Sequence, residues 1–302
     1  MTFAGTEGTA GSTGDYGDDA ATALFDHPWG LAFDLSGHLY VSDSYNHVIR
    51  KISPSGGGEY SITTVAGIMG HYGYNCTSNG GGVVATSCLL KRPRGLAVDG
   101  NNNLYIADNG NNRIRMLKAA DGKIVTIVGS GEFGYATDGT IAINAALNQP
   151  SDVALSGNNL YITDSGNHVI RKVQLVGAAP EIHTIAGRQR TTYSYSYSGD
   201  GSGATWAHLS YPMGISIRDS TGDIFFSDYY NNRVRRIDTD GTIFTYLGNG
   251  TSGLVSMRQI SASTDICFDP SGYLIIADTS NHVIRRVNDH FGVVNSDIII
   301  FE

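Results

Sequence analysis

The sequence is short of lysine, of proline and of charge altogether. It holds five lysines and seven prolines in 302 residues, charged residues are 16% of the total, and the formal net charge is −8. That balance leaves no basic stripe to neutralise a phosphate backbone, so no nucleic-acid partner is expected. No apolar run approaches the roughly 18 residues of a membrane-spanning helix, so no membrane span is expected either. Residues Met1 to Gly14 show neither a basic start nor an apolar stretch, so no secretory signal is read there. Such an N-terminus fits an intracellular protein or a domain excised from a longer one. What the sequence does have is glycine (39), tyrosine (17) and 41% hydrophobic residues. This composition suits short strands, tight turns and a sizeable core.

Aligned on itself, the chain repeats five times. The segments are LYVSDSYNHVIRKI from Leu39, LYIADNGNNRIRML from Leu104, LYITDSGNHVIRKV from Leu160, IFFSDYYNNRVRRI from Ile224 and LIIADTSNHVIRRV from Leu274. Each carries an Asp (43, 108, 164, 228, 278), an Asn three residues on (46, 111, 167, 231, 281) and an Arg seven on (50, 115, 171, 235, 285). A second strand precedes each: GLAFD, GLAVD, DVALS, GISIR and DICFD. Four of these follow Pro28, Pro93, Pro150 or Pro212, and the fifth has Ser263 in that place. A third strand follows in the first four units and ends at Gly67, Gly129, Gly187 or Gly248. The repeated Asn is expected to supply the left-handed residue of a hairpin turn.

These motifs resemble the NHL repeat over nearly the whole chain. The resemblance implies an all-β fold, a β-propeller of five four-stranded blades in one domain spanning 1–302. Both faces of each blade are then expected to be buried against neighbours. NHL propellers are commonly six-bladed, so a six-bladed parent stays open. A terminal strand is expected to close the ring. Thr2–Gly5 (TFAG) and the tail GVVNSDIIIFE compete for that role.

The repeated Asp and Arg recur too often to be catalytic. The pairs Asp43–Arg50, Asp108–Arg115, Asp164–Arg171, Asp228–Arg235 and Asp278–Arg285 are therefore read as structural ion bridges across each turn. His47, His168 and His282 alternate with Asn112 and Asn232 in the slot after the turn Asn, which marks a turn residue rather than a metal ligand. No HExxH or paired CxxC is present, and the Asp-Gly loops lack the carboxylate spacing of an EF-hand. No catalytic residue, metal or cofactor is assigned.

Before each proline lies an Ala-rich stretch expected to form a short helical segment, anchored by Phe25, Leu90, Leu147 or Leu209. Cys88 fills a slot held elsewhere by Ala23, Ala145 and Ala207. Cys267 replaces Ala32, Ala97, Ala154 and Ser216, so both cysteines read as small buried residues. Cys76 lies in an insertion, which makes Cys76–Cys88 a candidate disulfide. Asn75 and Asn249 stand in N-x-S/T triplets and are candidate glycosylation sites. These features favour an extracellular or secreted setting over a cytoplasmic one.

Function is sought where the repeats disagree. Trp29, Arg94, Asp152, Met213 and Asp265 are expected to start the innermost strands at the channel mouth and to bind a ligand. Tyr193, Tyr195, Tyr197, Tyr229 and Tyr230 are further ligand-binding candidates on loops. The expected function is a non-enzymatic binding or scaffolding propeller for a protein or glycan. The alternative, implied by lyase and lactonase relatives of the fold, is a metal-dependent enzyme with its site in the channel.

Overall fold

A computed structural model describes residues 3–15, 17–76, 82–189, 197–253 and 259–287. Among them, the strands form five antiparallel blade sheets of the β-propeller class. By contacts the chain falls into two compact units, residues 1–133 with 142–153, and residues 134–141 with 154–302.

In the first unit, blade 1 comprises Pro28–Phe33, Leu39–Asp43, Val48–Gly56 and Glu59–Ala66. Blade 2 comprises Pro93–Val98, Leu104–Asp108, Arg113–Leu117 and Lys123–Val128. Tyr40, Ile49 and Ala66 of blade 1 pack with Leu96, Leu104, Ile106 and Ile124 of blade 2. Strands apolar on both faces are needed here because a stacked sheet is buried on both sides. Each fully buried Leu or Ile contributes about 1.5–3 kcal/mol.

Blade 3 comprises Pro150–Ser156, Asn159–Asp164, Val169–Gln174 and Glu181–Ala186. In the second unit, Ala154, Ile170 and Ala186 of this blade pack with Ile215, Phe226 and Ile243 of blade 4. Blade 4 comprises Pro212–Ile217, Ile224–Asp228, Arg233–Ile237 and Thr242–Leu247. Its opposite face offers Phe225, Val234 and Leu247 to Ile266, Leu274, Ile276 and Val287 of blade 5. Blade 5 shows three strands among the described residues: Asp265–Phe268, Leu274–Asp278 and Val283–Val287. The tail GVVNSDIIIFE lies outside them.

The Ala-rich lead-ins form three-residue 3₁₀ turns at Ala20–Thr22, Ala85–Ser87, Ala142–Asn144 and Ala204–Trp206. A fourth-strand glycine donates to the first alanine of the following turn: Gly67 to Ala85 O, Gly129 to Ala142 O and Gly187 to Ala204 O, at 3.1, 2.9 and 3.0 Å. Gly5 donates to Ala20 O in the same way at 2.9 Å. It shares their positive φ as well, 96° against 92°, 104° and 86°. Phe3–Gly5 thus holds the place of a fourth-strand end beside blade 1, without a strand's pairing of its own.

Two blade faces depart from the expected burial. Leu31 and Phe33, on the first strand of blade 1, are 62% and 64% exposed, whereas Leu96, Val153, Ile215 and Ile266 in the slot of Leu31 are buried. On blade 5, Ile284 is 38% exposed where Ile49, Ile114, Ile170 and Val234 are fully buried. Cys267 is exposed too. The sequence-based reading of Cys267 as a buried residue is corrected by this: its alanine counterpart Ala154 is covered, and the blade 5 face carrying Cys267 is open.

Candidate binding surface

The repeated polar residues build one device in each blade. The Asp closes the second strand and accepts from the lead-in backbone: Asp43 from Asp26 N–H at 2.7 Å, Asp108 from Lys91 at 2.8 Å, Asp228 from Ser210 and Asp278 from Ser261 at 2.7 Å. Its other oxygen takes the turn Asn amide at 2.7–2.9 Å in all five blades. The Arg then reaches that oxygen: Arg50 and Arg115 at 3.4 Å, Arg235 at 3.2 Å and Arg285 at 2.6 Å. Arg171 donates to Ala136 O at 2.9 Å and lies 3.6 Å from Asp138. All five guanidiniums are buried. At three of the carboxylates burial outweighs these partners: it holds Asp43 and Asp108 above the usual range and pushes Asp228 up to about 6.

The left-handed residue is not the repeated Asn, as the sequence suggested, but the one after it. His47, Asn112, His168, Asn232 and His282 have φ between 49° and 61°. The Asn before each is occupied otherwise: its amide donates to the Asp, and in blades 1, 2, 3 and 5 also to a loop carbonyl, as from Asn111 to Gly73 O at 2.6 Å. The His/Asn alternation has a matching cause. Arg92 N–H donates to His47 Nδ1 at 3.1 Å, Gln149 to Asn112 Oδ1 at 2.9 Å, Tyr211 to His168 Nδ1 at 2.9 Å and Ala262 to Asn232 Oδ1 at 3.0 Å. Both residue types tolerate positive φ and present an acceptor at the same reach. Each donor is itself held at a φ of 47–55°, in the slot before the proline or Ser263.

The five channel-mouth candidates do not share one register. Trp29, Arg94 and Met213 follow their prolines directly, but Asp152 and Asp265 sit one residue further on, in the slot of Gly30, Gly95 and Gly214. A one-residue step reverses the side of a strand. In the blades that carry glycine there, close approach requires it. A Cβ on Gly95 would lie 2.5 Å from Asp152 Cα, and one on Gly214 would lie 2.6 Å from Asp265 Cα. Each of the two carboxylates accepts from the next backbone N–H on its own strand at 2.8 Å. Burial pushes Asp265 up to about 6. Met213 is buried. Among the described residues no group of three His, Cys, Asp or Glu is placed to hold a metal ion, and no helix is long and apolar enough to cross a membrane.

Trp29 and Arg94 do meet. The Arg94 guanidinium lies 4.4 Å above the indole, and its Nη1 donates to Ser151 at 3.3 Å. Beside them Arg92 lies 5.2 Å over Tyr45, whose other neighbour is the His27 ring at 4.2 Å. Lys91 is 6.0 Å from the Tyr72 ring, which also meets His47 at 5.1 Å. In the second unit Tyr229 and Tyr230 cluster at 4.8 Å, with Tyr211 5.7 Å from Tyr230 and His168 6.4 Å from Tyr211. His27, Lys91, Arg92, Tyr72 and Tyr211 escaped the sequence reading. Aligning the residue before each proline, and noting the KRPR run in so lysine-poor a chain, would have found most of them.

Tyr197 is committed to structure. Its ring lies under Arg233 at 3.5 Å and Arg235 at 4.7 Å, and its hydroxyl reaches Thr245 at 2.8 Å and Asp200. Tyr193 and Tyr195 lie outside the described residues. Cys76 and Cys88 form a disulfide with Cα atoms 5.5 Å apart. Asn75 spends its side chain on Leu89 N–H at 2.7 Å and Ser87 O at 3.2 Å. Asn249 is exposed in a turn in which its side-chain oxygen accepts from Thr251 N–H at 2.9 Å.

Comparison with known proteins matches the NHL repeat at residues 25–52, 90–116 and 147–172, and the teneurin NHL domain at 176–270. The chain is 26% identical to human NHL repeat-containing protein 2 over 293 residues, 87% of this chain and 39% of that protein. It is 26% identical to zebrafish (Danio rerio) teneurin-3 over 298 residues, 86% of this chain and 10% of that one. It therefore spans well under half the length of these relatives. Among solved structures, a gluconolactonase from Xanthomonas campestris aligns with a TM-score of 0.58 at 14% identity, covering 91% of this chain and 77% of that one. A Staphylococcus aureus virginiamycin B lyase aligns with a TM-score of 0.53 at 15% identity, covering 90% and 70%. At such identities the likeness is one of fold alone.

Proposed function

The chain is an NHL-repeat β-propeller, and from that premise we propose that it is a non-enzymatic binding or scaffolding module that engages a protein partner. The contact surface in this reading is made by the turn between the second and third strands of blade 1 and by the segments leading into the first strands of blades 1 and 2. The observation that carries it is the group of rings and cations there, half-buried Trp29 with Arg94 and exposed Tyr45 with Arg92. Aromatic rings on a rigid support give contact area at low entropic cost. The repeated Asp, Asn and Arg are spent on holding turns and lead-ins together, and Asp152 and Asp265 each bond their own strand. A Cys76–Cys88 disulfide supports an extracellular setting, where such bonds persist.

The test screens wild type and Trp29→Ala on protein and glycan arrays, alongside thermal melts and elemental metal analysis. Saturable binding to a protein, weakened in Trp29→Ala at unchanged Tm, is expected. A stoichiometric metal whose chelation lowers Tm, or array binding that Trp29→Ala leaves untouched, overturns the reading.

A further inference from the structure

We infer that Lys91, Arg92 and Arg94, held on Tyr72, Tyr45 and Trp29, form a docking site for a carboxylate-rich segment of a protein partner. The inference rests on the binding-module reading above and gives the partner a chemistry. It starts from an imbalance. In a chain of net charge −8, the run Lys91-Arg92-Pro93-Arg94 puts three cations within four residues. Among the described residues none of the three has a carboxylate oxygen within 4.0 Å, whereas Arg50, Arg115, Arg171, Arg235, Arg236, Arg285 and Arg286 all do. Asp26, whose backbone carbonyl accepts from Tyr45 N–H, has its Oδ1 2.6 Å from His27 Nδ1.

The geometry distinguishes a carboxylate from a sugar. A sugar stacks on a free aromatic face, but here the Trp29 face carries Arg94 at 4.4 Å and Tyr45 carries both Arg92 and His27. A guanidinium lying over a ring loses rotamer freedom while its N–H edges stay off the ring; Arg94 spends one N–H on Ser151 and is preorganised to offer the others to a carboxylate. Arg92 is fixed further at its backbone, by φ of 49° and by its N–H bond to His47. Pro93 stiffens the run between Arg92 and Arg94. A Glu/Asp-rich peptide finds three preset cations here without displacing an internal ion pair.

The experiment measures fluorescence anisotropy of a labelled Glu-rich peptide, a Gln-rich peptide of equal length and a heparin-derived hexasaccharide with the intact chain. Wild type should bind the Glu-rich peptide, weaken with added salt and ignore the Gln-rich one. Arg92→Gln/Arg94→Gln should lose about tenfold or more in affinity at unchanged Tm. The Gln at 92 is compatible with the backbone, since Gln149 fills that slot in blade 3 at φ 50°. Arg94→Lys should also weaken binding, because it keeps the charge and loses the planar fork. Tighter binding to the hexasaccharide than to the Glu-rich peptide overturns the proposal, as does equal affinity of wild type and the double variant. If array binding falls with Trp29→Ala but is unchanged by the double variant, the acidic-partner inference fails while the binding-module reading stands.

Discussion

The Nδ1 atom of His47 accepts a hydrogen bond from the backbone N–H of Arg92 at 3.1 Å, tying the turn of blade 1 to the lead-in of blade 2. An acceptor Nδ1 must be unprotonated, so the bond exists only with the neutral ring. Burial, then the nearby charges of Arg92 and Lys91, holds the His47 pKa below its usual 6.5. A histidine depressed in this way adds stability that is present above its unfolded value and lost as pH falls through its folded value. Wild type should therefore soften on acidification below about pH 6.5. His47→Asn should remove this part of the acid loss, since Asn112 and Asn232 make the same bond without a titrating group. His47→Ala should cost about 1 kcal/mol at neutral pH. Urea midpoints at a series of pH values check both. An acid loss as steep in His47→Asn as in wild type would exclude the staple as its source.

The buried ion pairs should behave differently from those at the surface. Arg235 is fully buried between Asp228 at 3.2 Å and Asp200 at 2.7 Å. Arg235→Ala leaves Asp228 buried without its counter-charge and should cost about 3–5 kcal/mol. Its strand neighbour Arg236 faces Asp223 at 3.9 Å and is part-exposed, so Arg236→Ala should cost no more than about 1 kcal/mol. Chemical denaturation of the two variants side by side gives the comparison. Equal losses would mean that the repeated Arg is not a structural centre.

Blade count, strand order and the Asp-Asn-Arg device are legible in the sequence because each is repeated, and repetition separates structural residues from the rest. The lead-in anchors are legible for the same reason, and Leu90, Leu147 and Leu209 are indeed buried. Two details are not. From sequence the left-handed slot reads as Asn46 and its counterparts, because Asn tolerates positive φ, but the Asn46 amide is consumed by Asp43 and by Gly11 O. The register of Asp152 and Asp265 was obscured by their chemistry, since a carboxylate looks like a ligand until its slot is compared with Gly30, Gly95 and Gly214. The surface at Lys91–Arg94 was hidden because its aromatic partners Trp29, Tyr45 and Tyr72 come from three separate segments.

Asp265 supplies a pH effect of opposite sign to that of His47. Burial raises its pKa from 3.8 to about 6, so the folded state prefers the neutral acid. Such a group adds stability that is fully present below its unfolded value and is lost as pH rises through about 6. Asp265→Asn should match wild type near pH 4. It should be more stable near pH 8, by an amount on the order of 1–3 kcal/mol. Because His47 is common to both proteins, the difference between the two melting curves reports Asp265 together with the neighbouring group that titrates with it. A variant less stable than wild type at pH 8 would show that the charged carboxylate is held favourably after all.

Leu31 and Ile215 occupy the same slot on the first strands of blades 1 and 4, yet one is 62% exposed and the other 4%. Ile215 packs in the core shared by blades 3 and 4. Truncating it removes buried methyl groups and leaves a cavity, so Ile215→Ala should cost about 2–5 kcal/mol. Leu31→Ala removes surface that water already reaches and should change stability by less than about 0.5 kcal/mol. Phe33→Ser, 64% exposed on the same face, should be similarly mild and should reduce binding of a hydrophobic dye, because Leu31 and Phe33 together make an exposed apolar patch. Denaturation midpoints of the three variants, with dye fluorescence of the native proteins, decide the matter. A Leu31→Ala loss as large as that of Ile215→Ala would mean that the face of blade 1 is covered in solution, and dye binding unaltered by Phe33→Ser would support the same conclusion.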